Sequence, residues 1–203
     1  MEHGRALELL KSTEALLQGH FLLTSGNHSD TYVQCALLLS HPRVAVEFME
    51  DIAEFVSPFR VDAIVAPAVG GILVSYEVAR ILGKRALFLE REQGVMSFRR
   101  GFRVHEGERV FVVEDVITTG GSVLEVRDVL RGAGAIVTGF ASIVNRTSGR
   151  FAPGEPYHHC VTMDVPIYAP DCCPLCAENI PVVKPGSRGL SPDRGSARKG
   201  ETP

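Results

Sequence analysis

The sequence predicts an α/β fold, an open and mainly parallel twisted sheet flanked by helices, and three observations carry that prediction. From Val61 onward, short apolar runs alternate with stretches of helical period. Runs such as Ala63-Ile-Val-Ala66 and Val110 to Val113 are apolar at every position, as strands covered on both faces must be. Gly83, Gly132 and Gly134 then fall where the helical stretches should stop.

Taken in order, Arg5 to Leu17 sets Ala6, Leu9, Leu10, Thr13, Leu16 and Leu17 near one face and predicts a first helix. Phe21 to Ala36 reads as two extended pieces around a Ser25-Gly26-Asn27 turn, a small hood. Pro42 opens a second helix running to Val56, with Val46, Met49, Ile52, Ala53 and Val56 on its apolar side. A strand at 63–66 comes next, then a helix from Ile72 to Leu82 and strands at Ala86 to Leu89 and Val110 to Val113. A helix from Val123 to Leu130 and a strand within Ala135 to Val144 complete the pattern. The expected organisation is one domain, with residues 1–60 as N-terminal helices and hood and 61–183 as the α/β core. Residues 184–203 are poor in apolar side chains and are expected to be a disordered tail.

Composition narrows the class. With 203 residues, 45% hydrophobic and 22% charged, the chain is an ordinary globular one. Charges interrupt the leucines of Met1 to Gly19, and no stretch approaches the roughly 20 apolar residues of a membrane span, so neither export nor a membrane partner is expected. Five cysteines, an odd number, fit a reducing cytoplasm better than a disulfide framework. Five basic residues against two acidic lie from Lys184 to the end, so the body is more acidic than the net charge of -3, which argues against a nucleic-acid partner. Cys173-Pro-Leu-Cys176 offers two of the four ligands that structural zinc requires. His158, His159 and Cys160 are the upstream residues considered for completing it, and structural cysteines are the simpler reading.

Open sheets bind ligands beyond the carboxyl ends of their strands, which directs attention to the residues just after each apolar run. In Val112-Val-Glu-Asp-Val-Ile-Thr-Thr-Gly-Gly-Ser122, a strand ends in two adjacent carboxylates and passes through hydroxyls and glycines into a helix. Thr118, Thr119, Gly120, Gly121 and Ser122 offer hydroxyls and backbone N–H groups at a helix N-terminus, where a phosphate is favoured. Glu114 and Asp115 would repel that phosphate but suit vicinal hydroxyls, so the two halves together describe a ribose bearing a 5-phosphate. The loop lacks the Gly-Lys-Ser/Thr of a nucleotide triphosphate loop and the G-x-G-x-x-G of a dinucleotide fold.

This stretch resembles the signature by which type I phosphoribosyltransferases bind phosphoribosyl pyrophosphate (PRPP). Leu22 to Gln34, Ala66 to Ile72 and Val144 to Thr147 extend the resemblance to orotate phosphoribosyltransferases over most of the chain. The resemblance implies a PRPP site from Glu114 through Asp115, Val116, Ile117, Thr118, Thr119, Gly120 and Gly121 to Ser122. Within it the acidic pair takes the ribose hydroxyls, while Gly70 and Gly71 of Pro67 to Gly71 bind the leaving diphosphate. Thr118 and Arg146 would hold orotate, a planar anion that a guanidinium matches with paired donors. Arg91 to Arg103, polar and without apolar period, resembles the family's mobile catalytic flap, closing over PRPP of a neighbouring subunit in a homodimer. Its positive charge comes from four arginines, Arg91, Arg99, Arg100 and Arg103, since no lysine lies between Lys84 and Lys184; Val95 in the flap and Thr24 near the N-terminus are further departures from the lysines many orotate enzymes carry. Mg2+ is implied as the cofactor, bridged through PRPP with no protein ligand assigned. A purine or other base as acceptor, or a PRPP-binding regulator without turnover, are the alternatives.

Overall fold

The computed structural model describes residues 1–23 and 25–185; Thr24 and the part of the basic tail beyond Pro185 lie outside the described residues. The chain divides into two compact units, one made of Met1–Leu16 with Val33–Asp164 and one made of Leu17–Tyr32 with the segment from Val165 onward.

The first unit is built on a six-stranded sheet. Its strands are β3 (Ala63–Pro67), β4 (Arg85–Glu92), β5 (Val95–Phe98), β6 (Arg109–Ile117), β7 (Ile136–Asn145) and β8 (Tyr157–Thr162), in the order β5-β4-β3-β6-β7-β8. All neighbours pair in parallel except β4 and β5, which form an antiparallel hairpin at one edge. Two-residue periodicity divides the strand side chains between two cores. Ile64, Ala66, Phe111, Val113, Ala141 and Ile143 join a core with helices α1 (His3–Ser12), α2 (Cys35–Leu39), α3 (Pro42–Val56) and α4 (Gly71–Leu82). Ala63, Val65, Val110, Val112 and Phe140 join the opposite core, with α5 (Gly121–Gly132). Helices α1 and α3 thus belong to the body that carries the sheet.

The second helix occupies the expected residues, with Pro42 at its first turn. The first is shorter than its apolar period suggested. It ends at Ser12, Thr13 turns its hydroxyl back to the Leu9 carbonyl at 2.8 Å, and Glu14 adopts a left-handed φ of 54°, so Leu16 already belongs to a strand. The flap segment also differs from the expected loop. Gln93 and Gly94 both have positive φ, 49° and 86°, the geometry that closes a two-residue hairpin, and Met96 buries against the second core. A mixed run of four residues conceals that strand because only one of its faces is covered. β8 escaped prediction for a related reason: its His158 and His159 break the apolar pattern.

In the second unit, β1 (Leu16–Leu22) and β2 (His28–Val33) form a two-stranded sheet. The turn between them is tied by Leu23 N–H to the Asn27 carbonyl at 2.8 Å. The C-terminal segment pairs back onto it, Val183 beside Phe21 and Tyr168 beside His28, and carries a 3-10 turn (Pro170–Cys172) followed by the short α6 (Pro174–Ala177).

Candidate active site

Strand order places a topological switch between β3 and β6: the chain leaves β3 through α4 toward β4 and leaves β6 through α5 toward β7. Crevices at such points take ligands. The loops that flank this one are Pro67 to Gly71 and Glu114 to Ser122.

They are in close contact. A Cβ on Gly70 would lie 2.5 Å from an Asp115 carboxylate oxygen, and one on Gly71 would lie 2.7 Å from the Ala66 side chain and 3.0 Å from Glu114. The glycines are therefore required by the approach of the acidic pair, and they head α4, where first-turn N–H groups lack intrahelical acceptors. The Ala68–Val69 peptide in this loop is cis.

Glu114 is buried and Asp115 half-buried. Each carboxylate accepts a backbone N–H, Glu114 from Asp115 at 3.0 Å and Asp115 from Val116 at 2.8 Å. Burial first, and the neighbouring Asp115 charge second, push the Glu114 carboxyl well above its ordinary value, so it retains its proton into less acidic solution. Beyond the pair, Thr118, Thr119, Gly121 and Ser122 are exposed around the N-terminus of α5, and a cleft of about 50 Å3 runs from Glu114 to Val123 along them. Gly120 meets two demands at once: its φ is 82°, and a Cβ there would fall 2.3 Å from the Phe151 ring. Thr119 Oγ1 accepts the Gly121 N–H at 3.4 Å. Asn145 pairs with Ile117, and the Arg146 N–H bonds the Ile117 carbonyl at 2.8 Å, which brings Arg146 beside Thr118.

A larger open hollow of about 560 Å3 lies along α1 and α3. It shares no residue with the strand-end loops. Its lining is mostly acidic, with Arg5 paired to Glu47 at 2.8 Å and the Met1 ammonium to Asp51, so it is a poor site for a phosphate. The small cleft is the one that adjoins the strand-end loops.

Arg91, Arg99 and Arg100 are anchored rather than free. Arg91 pairs with Glu125 of α5 at 2.6 Å, Arg99 pairs with Glu92, and Arg100 grips Glu90 through two bonds of 2.8 and 2.9 Å while lying over the Phe88 ring. In this conformation Arg91 alone of the three is tied to the helix that follows the cleft.

Residues 38–170 match the family model for the phosphoribosyl transferase domain. The chain belongs to that family. It is 49% identical over 190 residues to the orotate phosphoribosyltransferase of Caldanaerobacter subterraneus subsp. tengcongensis, covering 94% of this chain and 100% of the relative. With the orotate phosphoribosyltransferase of Thermotoga maritima it shares 50% identity over 183 residues, 90% of this chain and 98% of the relative. Among solved structures, the orotate phosphoribosyltransferase from Aeropyrum pernix aligns with a TM-score of 0.68 at 27% identity, over 77% of this chain and 92% of that one.

Two features of this phosphoribosyl transferase went unread in the sequence. Phe151 closes over Gly120, held edge-on by Phe140 and Tyr157 at 5.7 and 5.0 Å. Cys35 lies fully buried under the acidic pair, its Sγ 3.9 Å from the Asp115 carbonyl oxygen. Burial, then Asp115 and Glu114, raise its thiol well above the ordinary value, with Arg146 opposing them, so Cys35 stays neutral. A lone aromatic in a Gly/Pro-rich loop and a lone cysteine give no signal of this kind in sequence.

Proposed function

We propose that this chain transfers the 5-phosphoribosyl group of PRPP to orotate, giving orotidine 5'-phosphate and pyrophosphate on the route to UMP. One observation carries the reading: the backbone loop at Gly70 and Gly71 abuts the carboxylates of Glu114 and Asp115, which run directly into a helix N-terminus rich in hydroxyls. Diphosphate, vicinal hydroxyls and 5-phosphate are the three groups such a crevice suits, in that order.

Glu114 and Asp115 take the ribose hydroxyls, and burial raises the Glu114 carboxyl well above its ordinary value. Val116 and Ile117 carry the strand to its end. Thr118 to Ser122 hold the 5-phosphate, Gly70 and Gly71 the leaving diphosphate, and Thr118 with Arg146 the orotate. In the reaction the bond from the anomeric carbon to the pyrophosphate oxygen breaks, positive charge builds on the ribose ring, and a nitrogen of deprotonated orotate attacks the opposite face. These residues act mainly by position and by fixed charge. Arg91, Arg99 and Arg100 would supply positive charge near the diphosphate after exchanging their present carboxylate partners for it.

Mg2+ fits the donor set, since residues 114–122 present hard oxygen atoms and no nitrogen or sulfur side chains. It would be held chiefly through PRPP oxygens, with no protein ligand assigned, and would neutralise charge on the diphosphate. The exposed apolar ridge of Val69, Leu73 and Tyr76, 82, 51 and 58% accessible, supports a homodimer as the working form, with the flap shared across it. Five free cysteines support a cytoplasmic location. No helix among the described residues is long and apolar enough to cross a membrane.

Consumption of orotate, followed by its ultraviolet absorbance and dependent on both PRPP and Mg2+, tests the proposal. Orotate left intact at saturating PRPP would overturn it.

A further inference from the structure

The second unit gathers four ligating side chains that the transfer reaction does not use. His20 comes from β1, His28 from β2, Cys173 from the loop entering α6 and Cys176 from α6 itself. Their donor atoms all lie within 4.8 Å of one another, and His20, His28 and Cys173 are buried. We propose that His20, His28, Cys173 and Cys176 form a structural zinc site of the Cys2His2 class.

The tautomer of His20 is decided by its surroundings. Its Nδ1 is 2.7 Å from the Ile180 carbonyl oxygen, which can only accept, so Nδ1 carries the proton and Nε2 turns a bare lone pair into the cluster. A carbonyl on the far nitrogen is also the support that metal-bound histidines ordinarily have. Around that lone pair stand His28 Nδ1 at 2.8 Å, Cys173 Sγ at 3.5 Å and Cys176 Sγ at 3.8 Å, and Cys176 Sγ is 3.3 Å from His28 Nδ1. Thiols are weak donors, so hydrogen bonding alone is a poor reason to gather two buried imidazoles and a buried thiol with the exposed Cys176.

The spacing matches a tetrahedron. With zinc–sulfur bonds of about 2.3 Å and zinc–nitrogen bonds of about 2.0–2.1 Å, each nitrogen–sulfur edge is roughly 3.6 Å. The observed edges of 3.3, 3.5 and 3.8 Å bracket that value. The nitrogen–nitrogen edge would be roughly 3.3 Å, so the two rings must part by about half an ångström to admit the ion.

On this proposal the cysteine pair is more than structural thiols, and its partners are His20 and His28 in place of His158, His159 and Cys160. His158 and Cys160 group instead with Asp51 in the first unit, where His158 Nε2 bonds Asp51 at 2.8 Å. Four protein ligands leave no open position for a substrate, which makes the site structural. Its effect is to bind the two strands of residues 16–33 to the C-terminal segment, reinforcing the backbone pairing of Val183 with Phe21 and Tyr168 with His28. A disulfide between Cys173 and Cys176 would account for the sulfurs but leave the His20 lone pair unexplained.

The test is metal content, which does not depend on the identity of the acceptor base. The full chain, expressed in zinc-supplemented medium and dialysed without chelator, should hold about one zinc per chain by mass spectrometry of the element. Cys172→Ser, at the exposed neighbour, should leave that figure unchanged, while Cys176→Ser and His28→Ala should weaken zinc retention at least about tenfold. Because those variants could fail to fold, the unmodified chain grown in cobalt provides the second measurement. Thiolate-to-cobalt charge transfer with the intense visible bands of tetrahedral Co2+ is expected. Zinc below about a tenth of an equivalent per chain together with no such cobalt spectrum would overturn the site, whether the cysteines then proved to be free thiols or a disulfide.

Discussion

The two strand-to-helix loops at the switch point meet the same crevice with opposite means. Glu114 to Ser122 presents two carboxylates and three hydroxyl side chains, whereas Pro67 to Gly71 presents no polar side chain at all. One loop recognises through side chains and can be altered one functional group at a time. The other recognises through its backbone, and its sensitivity lies in what an added Cβ would displace. Gly70 and Gly120 sharpen the contrast. Gly70 sits at an ordinary helical φ of -56° and is required by the nearness of Asp115, while Gly120 is required by its own φ of 82° as well as by Phe151.

The largest effect is expected on the side-chain loop. Asp115→Asn keeps the shape and removes the charge, and we expect kcat/KM for PRPP to fall by about 10²–10³-fold with an unchanged unfolding midpoint. Steady-state kinetics paired with thermal unfolding checks both halves. On the backbone loop, Gly70→Ala must move the Asp115 carboxylate, with an expected loss of about 10–10²-fold in turnover from misplaced groups. Gly120→Ala should be felt in stability instead, by about 1–3 kcal/mol in denaturant titrations, because it forces a left-handed φ on an alanine and drives a methyl into Phe151. If Gly70→Ala were as destabilising as Gly120→Ala and no less active, the division between the two loops would fail.

Arg99→Ala and Arg100→Ala probe a third element, the edge hairpin. Both residues are exposed and paired with exposed or half-exposed carboxylates, so stability should not measurably change. A loss of kcat of about tenfold at constant midpoint would assign them to the reaction, and unchanged kcat would confine them to the hairpin. The smallest expected effect is a pH slope. Glu114 has a folded value above its unfolded one, so between the two the folded state binds the extra proton. Its contribution to stability is complete below the ordinary carboxylate range and is lost as pH rises toward the raised value. Glu114→Gln should flatten that decline in urea midpoints measured across pH, and an unaltered slope would mean that Glu114 is not its source.

What was legible in the sequence was what lies contiguous along it. Residues 112–122 pass from strand through loop to helix without interruption, so their chemistry and their place at a strand end could be read together. Parallel strands buried on both faces were equally plain, and Pro42 marked α3 to the residue. Edge elements were not: β5 is covered on one side only, β8 is interrupted by histidines, and α1 stops early because Glu14 turns left-handed, a choice that apolar period does not encode. Sites assembled across the chain were the hardest. Cys173 and Cys176 offered two ligands of the proposed metal site but read more simply as structural cysteines, because His20 and His28 lie far from them in sequence and join them only when the C-terminal segment pairs back onto β1 and β2.

The measurement that tests the central claim most directly is pyrophosphate release from PRPP and Mg2+ with orotate, hypoxanthine, adenine, uracil or no base supplied in parallel. The account predicts turnover with orotate alone. Turnover with a purine in place of orotate, or tight PRPP binding without turnover under any base, would contradict it.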